Sequence, residues 1–84
     1  MTVQEIDKEL LNIIKEELKI EIQDGLSNQA KLLEMGIDSI SMMALWVYAE
    51  ERFSYETDED ALVGEQFKYL NDIAEYIYSK IRSN

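Results

Sequence analysis

Residues Met35 to Phe53 read MGIDSISMMALWVYAEERF. A glycine and an aspartate open the stretch, and no further glycine or proline interrupts it. From Ser39 onward the apolar residues fall at helical spacing, which predicts a helix over about Ser39–Phe53. Its pattern is double. Met42, Leu45, Trp46, Ala49 and Phe53 form one stripe, and Ile40, Met43, Ala44 and Val47 form a second beside it. A surface helix of a small domain needs only one apolar stripe. The first stripe is therefore expected inside, and part of the second at the surface as a contact face.

Upstream, EIQDGLSNQAKLLEMG (Glu21–Gly36) loses the period, and Gly25, Ser27, Asn28 and Gly36 are turn-formers. It reads as a long loop pinned to the core by Ile22, Leu26, Leu32, Leu33 and Met35. Loops of this length in small domains are often functional. Before it, Val3, Ile6, Leu10, Ile13, Ile14 and Leu18 make one stripe, predicting a helix over about Val3–Ile20. Glu5, Asp7, Glu9, Glu16 and Glu17 are read as mostly off that stripe, and Thr2 with Glu5 forms a candidate capping box. Downstream, SYETDEDALVGEQ (Ser54–Gln66) has room for a short helical turn around Asp58–Val63. A last helix is predicted over about Phe67–Ile81, with Phe67, Leu70, Ile73, Ala74, Ile77 and Ile81 inward, and Tyr69, Tyr76 and Tyr78 flanking. Lys80 and Arg82 suit its negative C-terminal end. The expected fold class is all-α: a bundle of three main helices and a short third one, residues 1–84 forming a single domain.

Composition supports this reading. The apolar fraction of 46% is ordinary for a globular chain, proline is absent and glycine occurs three times. A chain of this size buries about 60–65% of its unfolded surface, so the core is thin. The net charge of −10 argues against nucleic acid and anionic membranes and favours partners with basic patches. The densest acidic cluster, Glu50, Glu51, Glu56, Asp58, Glu59 and Asp60, has only Arg52 as a local cation. No apolar run approaches the length that spans a bilayer, and the N-terminus does not read as a signal peptide, so a cytoplasmic location is expected. A monomer is expected as well.

Catalytic motifs fail one by one. Without histidine there is no Ser-His-Asp arrangement and no histidine metal site. Without cysteine the chain has no disulfide and no thiol chemistry of its own. A calcium loop starting at Asp58 would need glycine where Val63 stands and glutamate where Tyr69 stands. No phosphate-binding glycine loop is present. The carboxylates show no sign of the burial that an acid–base catalyst needs. No metal site is expected, and the chain reads as a non-enzyme.

Ser39 remains. The bland reading is a helix cap. The sharper one is an attachment point: a hydroxyl in the first turn is exposed and fixed, and a phosphate ester is well tolerated there. Asp38 stands beside it, available to a modifying enzyme or to that enzyme's metal ion, with Ile40 as an apolar contact on the other side.

LLEMGIDSI (Leu32–Ile40), followed by an apolar helix ending in EERF (Glu50–Phe53), resembles the acyl and peptidyl carrier proteins. Their signature is a glycine, a variable residue, an aspartate, the modified serine and an aliphatic residue. Gly36, Ile37, Asp38, Ser39 and Ile40 match it position by position, and LNDIAEYI (Leu70–Ile77) is similar to the family's last helix. The resemblance covers nearly the whole chain. It implies a four-helix carrier fold and 4'-phosphopantetheine joined to Ser39 by a phosphopantetheinyl transferase from coenzyme A. It implies an acyl or aminoacyl thioester on the arm's thiol, which is then borrowed rather than encoded. Partner enzymes would be a loading enzyme (adenylating enzyme or acyltransferase) and downstream tailoring or condensing enzymes. They would meet the second helix, with Ile40, Met43, Val47, Glu50 and Glu51 as the candidate contact residues.

One feature departs from the commonest pattern. Fatty-acid carriers usually have acidic residues where this chain has Ser41 and Ala44, and Met42, Met43 and Trp46 make the early helix apolar. This moves the expectation toward a stand-alone carrier in biosynthesis of the non-ribosomal peptide or polyketide type. A fatty-acid-type acyl carrier protein is the alternative, and an unmodified helical interaction domain, with Ser39 only a cap, is the third reading.

Overall fold

The computed structural model describes residues 1–21, 31–32, 34–63 and 67–82. Among these residues four helices follow in chain order: α1 (Val3–Glu16), α2 (Ser39–Phe53), α3 (Glu59–Val63) and α4 (Leu70–Arg82). The fold is all-α, three long helices and a short third one, as the periodicity and the resemblance both predict.

Helix α1 starts where the capping box places it. Thr2 Oγ1 accepts the Glu5 N–H at 3.2 Å, and Glu5 Oε1 accepts the Thr2 N–H at 3.0 Å. It ends at Glu16, four residues before the expected end. Lys19 takes φ +55°, and the Ile20 N–H reaches back to the Ile14 carbonyl at 3.1 Å, closing the turn. Leu18 and Ile20 still pack on the core, which is why the apolar pattern runs past the helix. Asp7 is the other correction. It is only 5% exposed, although the sequence reading set it off the stripe and found no buried carboxylate. The positions 3, 7, 10 and 14 share one helix face, so geometry carries Asp7 inward with its apolar neighbours.

The same closure shapes the approach to α2. The Ile37 N–H donates to the Leu32 carbonyl at 3.1 Å across Gly36, whose φ is +86°. Leu32 and Ile37, at the two ends of that closure, are both buried. The Leu32 N–H also donates to the Lys68 carbonyl at 2.8 Å beside a Lys31–Tyr69 bridge, so this segment is tied to the entry of α4. Leu32 and Met35 are buried, as expected of loop anchors; Ile22, Leu26 and Leu33, and the turn-formers Gly25, Ser27 and Asn28, lie outside the described residues.

Helix α4 begins at Leu70 rather than Phe67. Asp72 reaches back to accept the Tyr69 N–H at 3.2 Å, which fixes the start. Phe67 packs from the preceding segment instead, edge-on to Trp46 at 5.3 Å and to Tyr76 at 5.5 Å. The core joins Ile6, Leu10, Ile13 and Ile14 of α1, Leu45, Trp46, Ala49 and Phe53 of α2, and Leu70, Ile73, Ala74 and Ile77 of α4. Helix α1 packs chiefly on α4 and also on α2. Short α3 contributes Ala61, which is buried, and Leu62, which packs against the core.

Two substitutions test the turns. Gly36→Ala forces a side chain into the left-handed region and should cost about 1–2 kcal/mol, although among the described residues the added Cβ meets only Ile20 Cγ2, at 3.8 Å. Lys19→Gly should do the reverse and stabilise by a few tenths to about 1 kcal/mol. Urea midpoints at constant slope read both.

Candidate functional site

The site grows from the end of the Leu32–Ile37 turn. Asp38, with φ −92° and ψ −172°, is the N-cap of α2, and its Oδ1 accepts the Ser41 N–H at 2.8 Å. The bland reading of Ser39 is thereby corrected: the cap is Asp38, and Ser39 is the first helical residue. The Ser41 amide, more than any other donor, holds the Asp38 carboxyl below its ordinary range. Ser39 is exposed, and so is Asp38. The hydroxyl therefore stands at solvent on the end of a helix where backbone N–H groups and the helix dipole favour a phosphate.

The outer face of α2 continues from it. Ile40 is 82%, Met43 47% and Val47 53% exposed, and Ala44 is half-buried. With exposed Glu51 one turn further, positions 40, 43, 47 and 51 form a line about 16 Å long. It is apolar near Ser39 and acidic at its far end. The inner stripe is buried at Leu45, Trp46, Ala49 and Phe53 and half-buried at Met42. Both stripes thus fall on the sides the sequence assigned to them.

The candidate contact pair Glu50 and Glu51 does not act as a pair. Glu50 is half-buried, and its Oε2 accepts the Thr57 N–H at 2.8 Å. Arg52 does not serve the acidic cluster either; it pairs with Glu9 of α1. The cluster's cation comes from α4. Lys80 Nζ donates to both Asp58 carboxylate oxygens, at 3.1 and 3.2 Å. Tyr76 adds to this: its hydroxyl donates to Asp58 Oδ2 at 2.8 Å and accepts the Asp58 N–H at 3.0 Å. The Asp58 carbonyl accepts the Ala61 and Leu62 N–H groups, so the clasp fixes the start of α3 on α4. Sequence reasoning missed it. Tyr76 and Lys80 share a helix face, but nothing local points to Asp58, eighteen residues before Tyr76.

The phosphopantetheine attachment site family matches residues 8–77 of the chain. An acyl carrier protein of Phytoplasma mali (strain AT) is 35% identical over 79 residues, which covers 94% of this chain and 83% of that protein.

The clasp has a pH signature. Tyr76 first, then Lys80, depress the Asp58 pKa, so its contribution is full above the unfolded value of about 3.9 and is lost as pH falls through the folded value. Asp58 raises the Lys80 pKa, so that contribution is present below about 10.4 and is lost as pH rises through the folded value. Asp58→Asn should lower the melting temperature at pH 7. The difference from the parent should close as pH falls below about 4 and shrink in high salt. A pH-independent difference would assign the effect to the hydrogen bonds alone.

Proposed function

The chain belongs to the phosphopantetheine-binding carrier protein family, and we propose that Ser39 is the residue that carries its 4'-phosphopantetheine. The observation that supports this reading is the exposed Ser39 hydroxyl at the first position of α2, beside an N-cap carboxylate that orders the turn. These residues fit a phosphodiester. Ser39 Oγ would be the ester oxygen, and the first-turn N–H groups would face the phosphate charge. Ser39 Oγ would bond to the phosphorus of coenzyme A as the pyrophosphate bond breaks, adenosine 3',5'-bisphosphate would leave, and the hydroxyl proton would pass to a base of the transferase complex. Asp38, kept ionised by the Ser41 amide, holds the turn in shape and faces the modifying enzyme or its metal ion. When bound, the arm supplies the thiol that holds an acyl or aminoacyl group as a thioester. The chain is a carrier, not an enzyme.

Ile40, Met43, Val47 and Glu51 then form the face that partner enzymes meet, with Glu50 steadying the α2–α3 connection behind it. The transferase, a loading enzyme and the enzymes that use the cargo would all read this surface. An apolar, methionine-containing face adapts to several partner shapes. It offers little to a basic patch in the first two turns of α2, where Ser41 and Ala44 stand. That favours a carrier of the non-ribosomal peptide or polyketide type, with residues 1–84 acting as one carrier domain. The similarity to the Phytoplasma acyl carrier protein favours the second reading, a fatty-acid-type role.

Incubation with coenzyme A, magnesium and a broad-specificity phosphopantetheinyl transferase should add one phosphopantetheine to the intact mass. Ser39→Ala should add none while staying folded. Modification of the Ser39→Ala protein, or none of the parent, would refute the assignment. Ile40→Glu and Val47→Glu should change stability by no more than about 0.5 kcal/mol, yet slow partner enzymes by about tenfold or more. A melting loss that outweighs the kinetic one would place these side chains in the core.

A further inference from the structure

We propose that Trp46 closes the bundle to an acyl chain, so that the group carried on Ser39 stays outside the fold. The proposal rests on the Ser39 reading and adds a cargo class to it: compact or polar acyl groups, which need no apolar shelter.

An apolar chain tethered at Ser39 gains by leaving water, and among the described residues the shelter inside the fold that lies nearest to it is the inner face of α2. On a helix, the residues below Ser39 on that side stand three and seven positions on: Met42 and Trp46. Met42 is half-buried and can move. Trp46 has no exposure and is held from two directions. Phe67 packs edge-on at 5.3 Å and Tyr76 at 5.6 Å, and those two rings pack edge-on to each other at 5.5 Å. Tyr76 is itself pinned through its hydroxyl to Asp58. Leu45 and Ala49, on either side along the stripe, are likewise fully buried. To admit a chain here, the largest side chain of the core would have to leave a three-ring packing that its neighbours lock.

One polar detail leaves the ring packing to hold Trp46 alone. Trp46 Nε1 is buried and finds no acceptor among the described residues. Such a donor is normally satisfied, because leaving it unpaired opposes folding. The indole is therefore held by its packing, not by a polar anchor. A groove does open beyond the rings, lined by Ala61, Phe67 and Tyr76, but Asp58, Glu59 and Asp60 also line it. An alkyl chain in that groove would have to lie against carboxylates, two of which, Glu59 and Asp60, are in the first turn of α3.

The test starts from the intact chain and a transferase given acetyl- or octanoyl-coenzyme A. The mass gain at Ser39 checks the attachment reading separately, before the proposal is tested. Hydroxylamine cleavage of the two protein thioesters is then compared with that of the two coenzyme A thioesters, and the Trp46 emission is recorded. The protein should slow octanoyl cleavage no more than acetyl, within about twofold, and the emission should not change with chain length. A protection of octanoyl by about tenfold, with an emission shift, would overturn the proposal. Trp46→Leu, shown folded by circular dichroism, should gain selective protection of octanoyl. A folded variant with no such gain would show that Trp46 is not what keeps the chain out. If the variant does not fold, the comparison in the parent still decides.

Discussion

Everything at the candidate site depends on where α2 begins, and the Asp38 carboxylate sets that point by accepting the Ser41 amide. A helix cap is a register device as much as a stabiliser. With the first turn fixed, Ser39 faces solvent, and the helical period assigns every later residue to a side. Leu45, Trp46, Ala49 and Phe53 go to the core, and Ile40, Met43, Val47 and Glu51 go to the outer line. The turn before it has the same purpose. Gly36 lets the Leu32–Ile37 closure form, and the buried Leu32 and Ile37 hold that closure on the core. Ser39 is thus placed by packing on one side and by a cap on the other.

A second joint sits at the opposite end of the bundle. Tyr76 presents its ring edge-on to Trp46 and Phe67 and its hydroxyl to Asp58, so one side chain belongs both to the core and to the acidic surface. Burial of that ring pushes the phenol's pKa up, and the Asp58 carboxylate adds to the effect. Five-residue α3 has little helical stability of its own, since so short a helix rests on tertiary contacts. Its position is set by Ala61 and Leu62 at the core and by the Asp58–Tyr76–Lys80 clasp at its start. An exposed ion pair alone contributes little. Here it is joined by two hydrogen bonds to a tyrosine whose ring is already held, so less disorder is lost in forming it.

The parts that were legible in the sequence are those governed by periodicity and local capping. The Thr2–Glu5 box, the bounds of α2, both stripes of that helix and the approximate place of α3 follow from spacings of three and four residues. The two errors in helix bounds share one physical origin: tertiary closure overrides a pattern that merely continues. Leu18 and Ile20 extend the stripe of α1 but reach the core from a turn. Phe67 extends the stripe of α4 but packs from outside the helix. Asp7 looks like a surface acid by type, yet its helix position carries it inward. At the site, Ser39 and Asp38 were both visible, but not which of them makes the cap, because either residue type can. Partners far apart in sequence were not visible at all. Nothing around Arg52 predicts that it turns to Glu9, and nothing around Lys80 predicts Asp58.

The apolar character of α2 links its two faces. A helix that is apolar on most of its circumference is normally buried on every side. This one is not, because α1 and α4 already fill its inner face, and no described element covers Ile40, Met43 or Val47. Among the described residues the apolar surface near Ser39 is therefore left uncovered, over about two helical turns from Ile40 to Val47. The same filling that leaves this face free closes the interior around Trp46. On the reading proposed above, partners and cargo both meet the outside of α2, with Ser39 at the head of the line.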